Sequence, residues 1–398
     1  MLSYTEQMEN AYWDQWEIFD SQSEKEAYDQ VVNYLNSDDN FRSFGDGLIQ
    51  LIRDKYRDEK IEDPIKFLKK LCIKNDIDIG EICKRDITLK SWFFGDKKPK
   101  KGEADRWKMF ALAFALEFTP SETAKLFHKV YLDRAFDFRN ANEIIFYYCL
   151  SQNKSWNDAK RLIEAVTYDD TCTDATIYTS EIKSNIESLS NEKALLEYIR
   201  RHTHNLKIAS VTAEHKIKDY IETACWGARV ETEMQENQGR FIGRNTKLIS
   251  TNLLYEIITG LETAGDKGTI SLIKKARLPQ EIKNRFPTAA SLGIPESHEN
   301  RRKILILLYS YIFWFKWQWG EIPKDEESLR KFKRKYRDGE QIYLDDYLVP
   351  LDTLLLECGF SQMYAGNPYD WLFLFCSVND RPLDTFRGLI SEVLNEEE

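Results

Sequence analysis

Apolar residues recur every three or four positions through most of this chain, which is the spacing that places them on one face of an α-helix. The pattern predicts helices between 47 and 74, over 106–117, 119–129, 143–150 and 156–166, and from 182 past 211. With only 17 Gly and 10 Pro among 398 residues, the chain has few of the breaks that a turn-rich β fold needs. The predicted fold class is therefore all-α, with many helices.

Several of these helices carry recognisable start signals. Thr119-Pro120-Ser121-Glu122 has a capping residue, Pro in the first turn and Glu soon after. Asn140 and Asn367 each precede an apolar helix and are predicted to be N-caps. Glu143 and Asp370 fall in the first turns of those helices, where negative charge suits the helix dipole. We expect these two acids to have a structural role and not a catalytic one.

The chain also contains an internal repeat. The segment RNANEIIFYYCLSQNKSWNDAKRLI, residues 139–163, matches GNPYDWLFLFCSVNDRPLDTFRGLI, residues 366–390, without a gap at an offset of 227 residues. Upstream of these segments, Arg106-Trp107-Lys108 and Arg301-Arg302-Lys303 each open an apolar helix. We infer a tandem duplication of helical halves, with an insertion at 316–349 in the second copy.

These patterns divide the chain into four predicted parts. Residues 1–45 form an acidic, aromatic N-terminal helical arm with ten acidic and two basic residues. The arm is interpreted as docking through its aromatic residues, and a DNA-mimicking or autoinhibitory arm is the alternative. Residues 46–166 form a helix-turn-helix-like helical domain, which is repeat copy 1, and residues 167–285 form a helical connector domain. Residues 286–398 form the second helical domain, which is repeat copy 2.

Composition narrows the class of protein. The net charge of −10 excludes a general nucleic-acid coat protein, so any nucleic-acid contact must come from a local basic patch. The seven Cys residues form no CxxC pair, which predicts reduced thiols. The N-terminus lacks a signal-peptide pattern, and the protein is therefore expected in the cytoplasm. The most apolar run, Ile304 to Phe315, is 12 residues long, whereas a membrane span needs about 20. It predicts a buried helix and no membrane contact.

The segment GEICKRDITLKSWFFGDKKPKK, residues 80–101, has the outline of a helix-turn-helix motif. Residues 79–85 predict a first short helix and residues 89–94 a second, which ends at Gly95. The connector is predicted at Arg85–Thr88, with Thr88 as the N-cap of the second helix. This connector has no Gly, and the whole unit is about three to four residues shorter than the usual motif.

The same region is basic in an acidic chain. Between Ile82 and Lys108 there are nine basic and four acidic residues, a local excess of +5. A positive field of this kind is what contact with phosphates requires. The predicted contacts to double-stranded DNA are Lys84, Arg85, Lys90, Ser91, Trp92, Lys97, Lys98, Lys100 and Lys101.

Several segments together resemble the phage-repressor-like (Xre-type) helix-turn-helix family, in longer bacterial proteins with an all-helical remainder. They are GDKKP at 95–99, FALAFALEFTPSETAKLF, RNANEIIFYYCL, RRKILILLYSYIFWF and CGFSQMYAGNPYDWLFLFC, which together touch about half of the chain. The resemblance implies a DNA-binding transcriptional regulator. The chain departs from the family in its shortened motif, and in Leu132-Asp133 where the family has a Gly-Tyr pair.

No pattern in the chain predicts an enzyme or a cofactor. GDKG at 265–268 lacks P-loop spacing, and His202 and His204 have no further ligand at metal spacing. The alternative to a DNA-binding regulator is a non-enzymatic helical adaptor that binds a protein partner or a second copy of itself. Such an adaptor could serve a mobile element, or a phage-defence or counter-defence system, with a motif that no longer reads DNA.

Overall fold

The computed structural model describes residues 24–37, 40–95, 98–100, 102–169, 171, 179–207, 211–236, 249–261, 266–283, 286–293, 298–334 and 342–395. Across these ranges the backbone forms α-helices, one π-helical segment and their connections, and no strand occurs among them. The prediction of an all-α fold is confirmed. The chain divides into a continuous unit, Arg42–Val211 with Gly359–Ser361, and a split unit, Met1–Phe41 with Thr212–Cys358 and Gln362–Glu398.

The helices are numbered in chain order, and the first, α1 (Glu24–Leu35), belongs to the split unit. Those of the continuous unit are α2 (Phe44–Lys55), α3 (Pro64–Lys74), α4 (Ile79–Ile82), α5 (Asp86–Phe94), α6 (Glu103–Ala115), α7 (Pro120–Lys125, continued by the π-helix Leu126–Tyr131), α8 (Ala141–Ser151), α9 (Trp156–Glu164), α10 (Thr179–Glu187), α11 (Glu192–Arg201) and α12 (Thr203–Lys207). The remainder are α13 (Val211–Glu236), α14 (Thr251–Thr259), α15 (Asp266–Lys275), α16 (Gln280–Lys283), α17 (Ala289–Gly293), α18 (His298–Trp319), α19 (Glu326–Arg330), α20 (Leu344–Glu357), α21 (Pro368–Ser377) and α22 (Pro382–Asn395).

The core of the continuous unit is built on stacked aromatic rings. Phe146 of α8 stacks on Phe110 of α6 at 4.7 Å and on Trp156 of α9 at 5.3 Å. Rings at these separations add to the stabilisation that burial alone provides. The indole N–H of Trp156 donates to the carboxylate of Glu81, which joins α9 to α4 at the edge of the basic segment.

The predicted helix starts are confirmed by their hydrogen bonds. Thr119 and Glu122 form a reciprocal capping box at the start of α7. The Asn140 side chain accepts from the N–H groups of Asn142 and Glu143 at the start of α8, and the Asn367 side chain accepts from the N–H of Tyr369 at the start of α21. Capping satisfies backbone donors that would otherwise have no partner at a helix start.

The two units do not follow the predicted domain boundaries. Residues 167–285 were expected to form one connector domain, but the chain passes from one unit to the other at Val211–Thr212. The reason is packing: Ile182, Ile186, Leu195 and Ile199 lie in the same apolar core as α6 and α8. Residues 179–207 therefore belong with repeat copy 1.

The predicted N-terminal arm, residues 1–45, is also divided. Residues 1–23 lie outside the described residues. In α1, Tyr34 stacks on Trp371 of α21 at 4.6 Å, and the Asn36 side chain donates to the carbonyl of Arg277 at 2.7 Å. This part of the arm packs into the split unit through Tyr34, and docking of the whole arm through its aromatic residues stays a prediction.

The internal repeat extends to a network of polar contacts. In the continuous unit, the Arg106 guanidinium binds both carboxylate oxygens of Glu143 at 2.7–2.8 Å and the carbonyl of Ala135 at 3.2 Å. The N–H of Asp137 also donates to Glu143, at 2.7 Å.

The split unit contains the same network. Arg302 binds both oxygens of Asp370 at 2.7–2.8 Å and the carbonyl of Gln362 at 3.0 Å. The N–H of Tyr364 donates to Asp370 at 2.9 Å. The Ala135, Asp137 and Glu143 positions match Gln362, Tyr364 and Asp370 at the offset of 227 residues.

This network corrects two details of the sequence comparison. The comparison related Arg106-Trp107-Lys108 to Arg301-Arg302-Lys303 only as helix starts, whereas the contacts give Arg302 the role that Arg106 has in the first copy. Glu143 and Asp370 were expected to serve the helix dipole, and each also neutralises a guanidinium that is largely removed from solvent. Burial alone would lower the pKa of Arg106, but Glu143 and Asp133 outweigh it and the pKa lies above its usual value.

Candidate nucleic-acid interface

The basic segment folds into two short helices separated by three residues. The carboxylate of Asp78 caps α4 by accepting from the N–H of Gly80 at 2.9 Å. After one turn the chain leaves the helix at Cys83 and re-enters it at Asp86. The connector is therefore Cys83–Arg85, and the first of the two helices has only four residues.

The predicted position of the second helix was wrong. It was expected at residues 89–94 with Thr88 as its cap, but α5 begins at Asp86 and has nine residues. The N–H groups of Thr88 and Leu89 donate to the carbonyl of Arg85 at 3.0 and 3.1 Å, so Thr88 already lies inside the first turn. The longer α5 presents three additional residues, Asp86–Thr88, that the sequence interpretation assigned to the connector.

The inner face of α5 holds the helix in the core of the continuous unit. Leu89, Trp92 and Phe93 are buried, and Trp92 lies edge-on to Phe44 at 6.0 Å. Trp92 was predicted to contact DNA, and this prediction is corrected: its side chain is 4% exposed and faces the core. An aromatic side chain placed one turn from Leu89 follows the apolar stripe of the helix.

A glycine sets the position of the C-terminal end of α5. A Cβ atom on Gly45 of α2 would lie 2.4 Å from the carbonyl oxygen of Phe93 and 2.7 Å from that of Trp92. Such distances are too short for any side chain, so only glycine allows α2 to approach α5 this closely. The outer face of α5 is thereby fixed relative to the rest of the unit.

The outer face of α5 combines one cation with two large apolar side chains. Lys90 is exposed, and the side chains of Ile87 and Phe94 are 77% and 66% exposed. These three residues follow the i, i+3, i+7 spacing of one helix face. Ser91, a predicted contact, lies half-buried beside them.

Basic side chains surround this face. Lys84 and Arg85 in the connector are exposed, and with Lys90 they form no ion pair in the part of the chain that the structure describes. Asp86, which follows Arg85 in the chain, is already paired with Lys69 of α3 at 3.0 Å. The positive charges of Lys84, Arg85 and Lys90 are thus left available to an anionic partner; we refer to these three residues as the basic triad.

The loop after α5 is anchored by its backbone. The N–H of Lys100 donates to Asp105 at 3.1 Å, and its carbonyl accepts from the Tyr131 hydroxyl at 2.6 Å. Burial, with the nearby Asp133, raises the pKa of Tyr131, so the hydroxyl remains a donor. Lys100 is exposed and Lys98 is half-buried. The predicted contacts Lys97 and Lys101 lie outside the described residues.

The structure reduces the charge that the sequence assigns to this surface. Arg106 was counted in the local excess of +5, but it is buried in its ion pairs with Glu143 and Asp133. Sequence reasoning missed the exposed Ile87, because it lay in the expected connector. The i, i+3, i+7 relation of Ile87 to Lys90 and Phe94 was the signal that could have identified this face.

None of the helices in the described ranges is both long and apolar enough to cross a membrane. Those ranges also contain no cluster of three His, Cys, Asp or Glu residues that could hold a metal ion. No protein-family model, curated protein or solved structure matches this chain. A function must therefore be inferred from the contacts and charges of the chain itself.

Proposed function

We propose that this chain is a cytoplasmic DNA-binding regulator that contacts duplex DNA through the outer face of α5 and the residues beside it. The observation that carries the proposal is the basic triad, three exposed cations without ion pairs in the described residues. They cluster around a helix whose inner face is fixed in a core. Backbone phosphates are the partners that such a group of cations suits best.

The contacts fall into two groups. Lys84, Arg85 and Lys90 lie around the start of α5, and Lys100 projects from a loop whose backbone is anchored to Asp105 and Tyr131. Each phosphate contact releases condensed counterions, so binding should weaken steeply with salt. Lys97, Lys98 and Lys101 remain predicted contacts in the same loop, whereas Trp92 is removed from the set because it is buried.

The test is binding of mixed-sequence duplex DNA of about 24 base pairs at about 50 mM salt, where phosphate contacts are strong. The triad variant Lys84→Gln/Arg85→Gln/Lys90→Gln should lose most of the affinity. The matched control is Arg57→Gln/Lys60→Gln/Lys193→Gln, which removes the same charge from exposed positions of the same unit. The proposal fails if the wild type does not bind, or if both variants lose affinity equally.

A second function is supported by a different observation. Ile73 of α3, 83% exposed, lies one turn beyond Lys69, whose partner Asp86 adjoins the exposed Ile87. Exposed apolar side chains close to cations also suit an acidic protein surface. A helical adaptor is therefore the second candidate. A stable protein partner that copurifies, together with no binding of mixed-sequence DNA, would select it.

A further inference from the structure

Ile87 and Phe94 are large apolar side chains that are exposed to solvent, which indicates that a partner covers them. Both side chains lie on the only solvent-facing side of α5, on either side of Lys90. Large apolar side chains gain free energy when they leave water. Two of them on one face of a short helix, with cations on its flank, indicate a surface that becomes covered by an anionic molecule with apolar groups.

The composition of α5 limits how it could recognise bases. Its sequence, DITLKSWFF, contains no Arg, Asn or Gln, and Lys90 is its only residue of the kinds that form paired hydrogen bonds with guanine or adenine. The proposed function assigns Lys90 to a phosphate. Asp86 is engaged with Lys69, and Ser91 is half-buried. Hydrogen-bonded base readout by this helix is therefore poor, while apolar contact is available at Ile87.

We propose that Ile87 contacts the C5 methyl group of thymine in the major groove, with Phe94 as a second apolar contact on the same face. This proposal rests on the proposed DNA-binding function. Thymine is the base that presents a methyl group at the major-groove edge of unmodified DNA. Ile87 lies two residues after Arg85 and one turn before Lys90, so cations on both sides of it can hold phosphates while its side chain faces the base edges.

The proposal predicts a preference for DNA that contains thymine over DNA that contains uracil. Hydrogen-bonded base readout would not give this preference. Replacing thymine by uracil removes the methyl group and keeps every phosphate and every base-pairing group. One methyl group that leaves water on binding changes affinity by about fourfold. The wild type should therefore bind random 24-base-pair duplexes made with thymine about fourfold more tightly than the same pool made with uracil.

The experiment compares both pools at about 50 mM salt for the wild type, Ile87→Ser and Ile73→Ser. Ile87→Ser should lose most of this preference, whereas Ile73→Ser, which removes a similarly exposed isoleucine on α3, should keep the wild-type preference. Because Ile87 is 77% exposed, its substitution should leave the thermal unfolding midpoint unchanged.

Three results would overturn the proposal. Equal binding of the two pools by the wild type removes the methyl contact and leaves the DNA-binding function intact. A preference that persists in Ile87→Ser assigns it to another residue or to the shape of the uracil duplex. Failure of the wild type to bind either pool removes the DNA-binding function itself, and with it the methyl contact.

Discussion

Asp352 of α20 is a buried acid that should destabilise the folded protein at neutral pH. It is 8% exposed, and it accepts from the N–H of Met363 at 2.7 Å and lies 3.4 Å from the Gln362 side-chain nitrogen. Burial raises the pKa of Asp352 from 3.8 to about 6; the Met363 bond and Arg302 oppose the rise, and the neighbouring Asp370 adds to it. The substitution Asp352→Asn imitates the protonated acid and can keep the bond to Met363.

The direction of the pH effect follows from the two pKa values. Because the folded-state pKa lies above the unfolded value of 3.8, the folded state binds more protons between about pH 4 and pH 6. The contribution of Asp352 to the free energy of unfolding therefore decreases as pH rises through this window. A shift of about two units corresponds to about 3 kcal/mol, all of it lost by pH 7. Asp352→Asn should match the wild type near pH 4 and exceed its stability at pH 7 by up to this amount.

Urea unfolding at pH 4.5, 5.5 and 7.0 measures this difference, with hydrogen exchange of peptides from α20 and α21 to assign it to the split unit. The control is Asp346→Asn, an exposed acid on the same helix, for which we expect no such trend. The reasoning is refuted if Asp352→Asn is less stable than the wild type at pH 7, or if its stability difference from the wild type does not change with pH.

Two further substitutions test the packing and the repeated ion pair. Gly45→Ala should destabilise the continuous unit by about 1–3 kcal/mol in urea unfolding, because its Cβ would meet the Phe93 carbonyl at 2.4 Å. Gly102→Ala has no atom within 4 Å of the added Cβ and should cost less, through the weaker N-cap of α6 alone. Equal effects would contradict the close approach. Arg106→Met should cost about 3–5 kcal/mol by leaving Glu143 buried without its cation. The double variant Arg106→Met/Glu143→Leu should recover part of this loss, because it removes the buried charge but also removes the acceptor of the Asp137 N–H. A double variant no more stable than Arg106→Met would contradict this account.

Local chemistry explains which features could be read from the sequence. Asn140, Asn367 and Thr119 were predicted correctly because a cap and the backbone N–H donors that it accepts from lie within three residues of each other. The role of Glu143 was only partly predicted, because its partner Arg106 is 37 residues away and the pairing depends on how α6 packs beside α8. Asparagine caps and apolar runs carry their own signals, whereas a long-range ion pair does not.

The candidate interface was likewise predictable from the sequence only in part. The exposed cations Lys84, Arg85 and Lys90 follow from their charge and from the apolar stripe that they avoid. The start of α5 was misplaced because Asp86-Ile87-Thr88 has a β-branched pair and a residue that often caps helices, and tertiary packing of Leu89 and Trp92 overrides that preference. With the start misplaced, the exposed position of Ile87 could not be predicted.

The salt dependence of DNA binding tests the central proposal most directly. For three phosphate contacts, the slope of log affinity against log salt should be less steep by about 2.7 in Lys84→Gln/Arg85→Gln/Lys90→Gln than in the wild type. Arg57→Gln/Lys60→Gln/Lys193→Gln should keep the wild-type slope. A wild type that fails to bind duplex DNA at about 50 mM salt, or a triad variant that keeps the wild-type slope, would contradict the account.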